Sequence, residues 1–275
     1  VVYGYMNRGS HEGRTGISVF HYDSVANTVE EVLFMPADCS YEVLKVDWGE
    51  VFYISDENMF YLLADGELYR IDLSTGKAQA IIREIKPGSY VASEDGRYFA
   101  WQDSQDSNSA ESVKIMDLEG EKVRSIEGNG GEYLKPVGFV ESDFVYGTAK
   151  AGEVVADSAG NMKFPMYKVS IVDKNSNIVN EYQKDGYYIS NAYVEQETIF
   201  LDRETRTEAG FIPASQDTIK NQQLESSRLI TIDTIVTEKK QTQVEMVFAE
   251  EEIDEPKNLQ VKAPKEVVVE KPRTV

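Results

Sequence analysis

The chain has 275 residues, of which 41% are hydrophobic and 11% aromatic. That excludes a disordered polymer and leaves room for one large all-β domain or two small ones. Lys and Arg total 28 against 48 Asp and Glu, a formal net charge of −20, so phosphate backbones and anionic membrane surfaces are repelled and excluded as default partners. The single cysteine, Cys39, precludes an internal disulfide or a thiolate metal cluster.

In chain order, the first feature is the opening "VVYGYMNRG", which carries neither an initiator Met nor a signal peptide. It reads as the start of a trimmed piece whose targeting signal lies upstream. No run of about 18 apolar residues follows, so no membrane-spanning helix is expected. Short aromatic, β-branched strands then recur at intervals of about 50 residues, the period of a repeat architecture. They are "VVYGY" from Val1, "VFYIS" from Val51, "YFAWQ" from Tyr98, "FVYGT" from Phe144 and "TIFLD" from Thr198. A second strand ending on an aspartate follows each: "ISVFHYD" to Asp23, "ELYRID" to Asp72, "VKIMD" to Asp117, "YKVSIVD" to Asp173 and "RLITID" to Asp233. These five carboxylates are expected to hold hairpin turns by accepting backbone N–H groups two residues on. A third strand closes each hairpin, and a fourth, such as "SYVASEDG" or "ISNAYVEQ", precedes four of the units. One four-stranded antiparallel sheet cannot bury both faces, whereas sheets stacked around an axis can.

"ASEDGRYFAW" and "ADGELYRIDLSTGK" resemble the repeats of bacterial TolB-type and related WD40-like propellers, over roughly Val1 to Ala249. The Trp-Asp dipeptide of WD40 repeats is absent. The expected fold is an all-β propeller of about five four-stranded antiparallel blades, either closed or part of a larger ring. The expected units lie near 1–40, 41–88, 89–134, 135–188 and 189–249. The acidic, Pro-containing tail 250–275 is read as a linker or, through "KEVVVEK", as the closing strand. The single helix candidate is the polar run Pro213 to Ser227.

Three long inter-strand loops stand out: Met6–Gly16, Thr148–Met166 and Arg203–Ser227. The resemblance places such loops on a ligand-binding rim. Within them Arg8, His11, Glu12, Arg14, Arg203 and Arg206 are the candidate ligand contacts, since Arg forks bind carboxylates in bidentate fashion. Solvated loop charge is the competing account. Of the two histidines, His21 sits in a strand and reads as structural. His11 alone makes a poor zinc site. No "GxSxG" elbow is present, and no catalytic or metal-binding set and no cofactor is expected. "DSQDSN", from Asp103 to Asn108, offers oxygen ligands without the EF-hand spacing. "GNGGEY", from Gly128 to Tyr133, leads into no helix and reads as a turn. Trp48, Trp101 and Cys39 read as core.

The function expected from the sequence is a non-catalytic binding scaffold. It is extracytoplasmic or on a bacterial cell surface, and it presents loops to a protein, peptide or glycan. The alternatives are a glycosidase-like five-blade propeller, with two carboxylates flanking a sugar, or the accessory propeller of a peptidase whose catalytic domain lies outside this chain.

Overall fold

The structure is a computed structural model. It describes residues 1–23, 27–37, 51–64, 66–104, 106–156, 160–195, 197–208, 210–220, 230–235 and 243–248, with backbone alone at 23, 230–235 and 243–248. Trp48, Cys39, the segment 41–49 and the tail from 249 lie outside the described residues, as do the side chains of Asp23 and Asp233. The chain divides into two units, Val1–Asn221 and Gln222–Val275.

The first unit is a succession of antiparallel meanders. Strands β1 (Val2–Tyr5), β2 (Thr15–Asp23) and β3 (Thr28–Pro36) form a three-stranded sheet in that order. Strands β4 (Phe52–Ile54), β5 (Met59–Ala64), β6 (Glu67–Asp72) and β7 (Lys77–Ile82) form a four-stranded sheet. Another is built from β8 (Tyr90–Ala92), β9 (Tyr98–Trp101), β10 (Ser112–Asp117) and β11 (Lys122–Glu127). Next come β12 (Glu132–Val140) and β13 (Asp143–Lys150), then a single 3-10 turn (Ala151–Glu153) and a small hairpin of β14 (Val155–Ala156) and β15 (Met162–Lys163). Strands β16 (Met166–Val172) and β17 (Ile178–Gln183) complete that meander. A single bridge, Met166 to Ile189, joins it to β18 (Tyr187–Glu195), which pairs with β19 (Thr198–Thr207). Strand β19 in turn pairs with β20 (Gly210–Pro213) and β21 (Asp217–Lys220). In the second unit, β22 (Ile230–Ile235) and β23 (Gln243–Phe248) form an antiparallel hairpin.

Side chains alternate across a strand, so a strand whose every residue is apolar needs a partner on each face. Strand β5, "MFYLLA", meets that condition. Phe60, Leu62 and Ala64 pack on Ile17 and Val19 of β2. Tyr61 and Leu63, on the opposite face, pack on Phe99 and Trp101 of β9 and Met116 of β10. Strand β9 repeats the device one sheet further on, with Ala100 joining Val113 and Ile115 against Leu134, Phe144, Tyr146 and Val172. Each fully buried Phe or Leu contributes about 1.5–3 kcal/mol relative to exposure. Meanders stacked face to face in chain order make this an all-β, propeller-like fold.

Polar clasps tie neighbouring sheets along the same seams. Arg70 of β6 donates from one terminal nitrogen to both carboxylate oxygens of Glu121, at 2.9 and 3.0 Å, and the hydroxyl of Tyr61 donates to Glu121 at 2.7 Å. Tyr53 donates to Glu119 in the same turn. Burial and the facing Glu121 carboxylate push the Tyr61 phenol well above its ordinary range. One sheet later, Arg124 of β11 donates to the backbone carbonyl of Asp173 at 2.6 Å and to the Ser176 hydroxyl at 3.1 Å.

Two sequence expectations are corrected here. Among the described residues "VFYIS" is the first strand of its sheet, and "MFYLLA" stands between it and "ELYRID". Asn58, at φ 60°, makes the tight turn between the first two. The helix expected over Pro213–Ser227 is replaced, where described, by β20 and β21, because residues 217–220 pair along β19 and bury Ile219. The "DG" turns are glycine-dependent: Gly66 has φ +69°, and a Cβ there would stand 2.8 Å from the carbonyl oxygen of Ile85.

Phe99 is fully buried where two sheets meet. Phe99→Ala is expected to cost about 3–5 kcal/mol in urea unfolding. Val179→Ala, at a half-exposed site on β17, is expected to stay within about 0.5 kcal/mol.

Candidate functional site

The loop between β1 and β2 is closed by its own backbone. The N–H of Met6 donates to the carbonyl of Arg14 at 2.8 Å, and that of Gly13 donates to the carbonyl of Met6 at 2.9 Å. His11 folds back from this loop and stacks on Phe34 of β3, with ring centroids 3.8 Å apart and planes 6° from parallel. The Arg14 guanidinium lies 4.8 Å from the same ring centroid. His11 Nε2 is 3.0 Å from Glu31 Oε2, while the Ser18 hydroxyl donates to Glu31 Oε1 at 2.7 Å. The Ser18 hydroxyl, and next His11, hold Glu31 below the ordinary carboxylate range. The carboxylate therefore stands between hydroxyl and imidazole, and Ser18 is buried at 2% exposure. The Ser18 hydroxyl thus bonds the carboxylate, and the imidazole meets that carboxylate's other oxygen. Arg8 and Glu12 are exposed in the loop.

Arg203 does not sit in a loop, which corrects its expected placement. Strand β19 runs on to Thr207, and Arg203 is only 6% exposed. It donates from Nε to the Ser215 carbonyl at 2.7 Å and from Nη2 to the Ser215 hydroxyl at 2.8 Å. Its Nη1 donates to Asp217 Oδ2 at 2.7 Å and to the Tyr182 hydroxyl at 3.0 Å. The guanidinium lies 4.5 Å over the Tyr187 ring. Asp217 is drawn below the ordinary carboxylate range, first by the Tyr182 hydroxyl and further by Arg203. These contacts fasten the 213–217 bend, β17 and β18 to β19.

The other face of β19 carries a different group of residues. Glu204 lies 3.0 Å from Lys163, and Arg206 lies 3.0 Å from Glu153 of the 3-10 turn. The Tyr188 hydroxyl donates to the same Glu153 oxygen at 3.3 Å, leaving Glu153 Oε2 buried without a hydrogen-bond partner. Phe211 of β20 is the hub: Lys163 lies 4.5 Å over its ring, Arg206 lies 5.9 Å away, and Tyr188 meets it edge-on at 5.2 Å. The connection after β13 and the end of β19 are thus adjacent, and Arg206 remains 58% exposed. The contacts described for His11 and Arg14 gather on Phe34, those for Arg206 on Glu153 and Phe211, and neither set reaches the other. Sequence spacing did not reveal Glu153, Lys163, Glu204 or Phe211, which lie on the 3-10 turn, β15, β19 and β20.

At the hairpin turns, Asp72 Oδ1 accepts from the Ser74 N–H and hydroxyl at 2.8 and 2.5 Å, and Oδ2 accepts from the Thr75 hydroxyl at 2.8 Å. Asp173 accepts from the N–H groups of Asn175 and Asn177, each at 2.8 Å. Asp117 accepts from the Glu119 N–H at 3.1 Å and also takes the Arg97 fork at 2.9 and 3.0 Å. Trp101 is 7% exposed in the core. In the "DSQDSN" segment Asp106 accepts from the Asn108 N–H at 2.9 Å, and Asp103 pairs with Lys114. Among the described residues, no group of three or more His, Cys, Asp or Glu is placed to hold a metal ion, and no helix is long and apolar enough to cross a membrane.

No family model matches the chain, and no curated protein matches it. Similar solved structures include the β-propeller domain of the trilobed protease of Pyrococcus furiosus, with 13% identity and a TM-score of 0.37 over 86% of this chain and 73% of that one. Porphyromonas gingivalis dipeptidyl peptidase 4 is 9% identical with a TM-score of 0.30, over 88% of this chain and 48% of that one. The tricorn protease is 11% identical with a TM-score of 0.34, over 84% of this chain and 28% of that one. The chain thus spans less than half of each of these two peptidases. These are likenesses of fold, and the propeller-like description rests on the stacked sheets themselves.

Two outcomes test this geometry. Arg203→Ala is expected to lower stability by about 2–3 kcal/mol in denaturant melts, because Asp217 loses its cation and the Ser215 carbonyl and hydroxyl lose their donors. Asp72 is held at a pKa of about 2, first by the Ser74 and Thr75 hydroxyls. Its folded pKa is depressed, so its contribution is present above the unfolded value and is lost as pH falls toward about 2. An NMR titration of the Asp72 carboxyl checks this, and Ser74→Ala with Thr75→Ala is expected to move its midpoint upward.

Proposed function

We propose that this chain is a non-catalytic binding module that presents the ends of its stacked sheets to a protein, peptide or glycan. The cluster around Phe211 carries this reading. An aromatic ring is flanked by Lys163 and Arg206, each cation tied to a carboxylate. Arg206 keeps more than half its side chain in solvent. Such a pre-organised polar surface around an aromatic suits recognition, because little side-chain entropy remains to be lost on binding. Arg8, Glu12 and Arg14, exposed on the β1–β2 loop, are proposed as further ligand contacts, with His11 holding that loop on Phe34. Arg203 supports the cluster from the opposite face of β19. An extracytoplasmic or cell-surface setting accords with the resemblance of the repeats to TolB-type proteins.

The alternative glycosidase reading has one observation in its favour: Glu153 and Glu204 share this cluster, and Glu153 keeps a buried oxygen without a hydrogen-bond partner. Peptide and glycan arrays probed with the purified chain separate the two. Specific capture is expected, weakened about tenfold by Arg206→Ala or Phe211→Ala and unchanged by Lys122→Ala. Captured ligands insensitive to both rim variants sink the assignment. Hydrolysis of aryl glycosides that Glu153→Gln or Glu204→Gln abolishes replaces it with the enzyme.

A further inference from the structure

The segment "GNGGEY" carries the chain from β11 to β12. The N–H of Glu132 donates to the carbonyl of Asn129 at 2.9 Å, so residues 129–132 form a β-turn. Gly131, at φ +86°, takes the position where a type II turn calls for glycine. Asn129, Gly130 and Gly131 are all exposed. One carboxylate holds Asn129 twice. The Asn129 N–H donates to Glu132 Oε2 at 2.9 Å, and its Nδ2 donates to the same oxygen at 3.0 Å. A carboxylate only accepts, which fixes the carboxamide with its nitrogen toward Glu132. The other oxygen of Glu132 accepts from the Tyr167 hydroxyl of β16. Burial opposes ionisation of Glu132, but the Tyr167 hydroxyl and the two Asn129 amides outweigh it and hold the carboxyl below its ordinary range.

Asn129–Gly130 is the one Asn-Gly step in the sequence. The backbone nitrogen that follows an asparagine can reach the side-chain carbonyl carbon and close a five-membered ring. A side chain on the following residue hinders that attack, and so does a hydrogen bond that occupies its N–H. Gly130 presents neither obstacle. It has no side chain, a Cβ placed there would meet nothing within 4 Å, and among the described residues its N–H makes no hydrogen bond. Glycine also leaves the backbone the freedom that ring closure demands.

We propose that Asn129 is a site of spontaneous deamidation in the folded protein, and that the product sets a second carboxylate against the Glu132 to which Tyr167 is bonded. The Gly130 nitrogen gives up its proton to solvent and attacks Asn129 Cγ. A C–N bond forms, the Cγ–Nδ2 bond breaks, and Nδ2 takes a proton from water and leaves as ammonia. Water then opens the succinimide. Addition at Cγ gives aspartate, and addition at the backbone carbonyl gives isoaspartate. The net change is one water consumed and one ammonia released, with nothing oxidised or reduced. Either product replaces the donor that faced Glu132 with a negative charge. The proposal does not rest on the cluster around Phe211, and its failure leaves that reading standing.

The test incubates the purified full chain, folded and in guanidinium chloride, at mildly alkaline pH and body temperature. Mass spectrometry follows the peptide that carries Asn129, where deamidation adds about 1 Da as NH is exchanged for O. The folded chain is expected to gain that mass at Asn129 ahead of its other asparagines, at a rate within about tenfold of the unfolded chain. Gly130→Ala fits the open space at that position and keeps Asn129. It is expected to slow the gain by about tenfold or more. Asn129→Asp makes one of the two products directly, and in it the Glu132 carboxyl is expected to titrate at higher pH by NMR than in the unmodified chain. A folded rate more than about tenfold below the unfolded one, or a Gly130→Ala rate equal to the parent's, overturns the site. A Glu132 midpoint that stays in place in Asn129→Asp overturns the link to the Tyr167 contact.

Discussion

The first unit depends on one constraint: a β-strand that is apolar on both faces must be covered on both faces. Strand β5 makes the demand and the neighbouring sheets answer it, with Phe60 and Leu62 facing Ile17 and Val19, and Tyr61 and Leu63 facing Phe99 and Trp101. Neither sheet alone can satisfy it. Edge strands escape the demand, and β11 and β17 accordingly carry mostly exposed side chains. The polar clasps follow from the packing. Once two sheets are face to face, the turn of one lies within reach of Arg70 or Arg124 of the other, and a charged hydrogen bond forms across the seam.

Much of this architecture was legible in the sequence, because strand ends are marked chemically. Aspartates at 72, 117 and 173 close their strands and cap the following turns through side-chain oxygens, a local interaction that residue order alone can announce. The register of one sheet was less legible. "VFYIS" and "MFYLLA" are both short, apolar and aromatic, and only the partner strands, which are remote in sequence, decide which of the two is sandwiched. The polar run after Pro213 misled in the opposite direction. It has no apolar alternation of its own, and its strand character comes from pairing with β19.

The site was partly legible for the same reason. Arg206 was singled out as a cation in an acidic chain, and it does stand at a strand end. Its neighbour Arg203 was singled out on the same ground, yet strand alternation turns it to the opposite face, where its donors are taken up within the protein. A three-residue step along one strand thus separates a solvent-facing cation from an internal fastener. Glu153, Lys163 and Phe211 come from different segments, and only the fold brings them together.

The clasp of Arg70 on Glu121 and that of Arg124 on the Asp173 turn each join one sheet to the next, as do the three apolar clusters. Cooperativity in such a molecule is of nearest-neighbour type, like coupled spins on a line. A defect placed at one seam is felt by two sheets and attenuates beyond them. Strands β5 and β9, covered on both faces, draw on two seams at once, so their amides are expected to keep their protection after strands that rest on one seam have lost it.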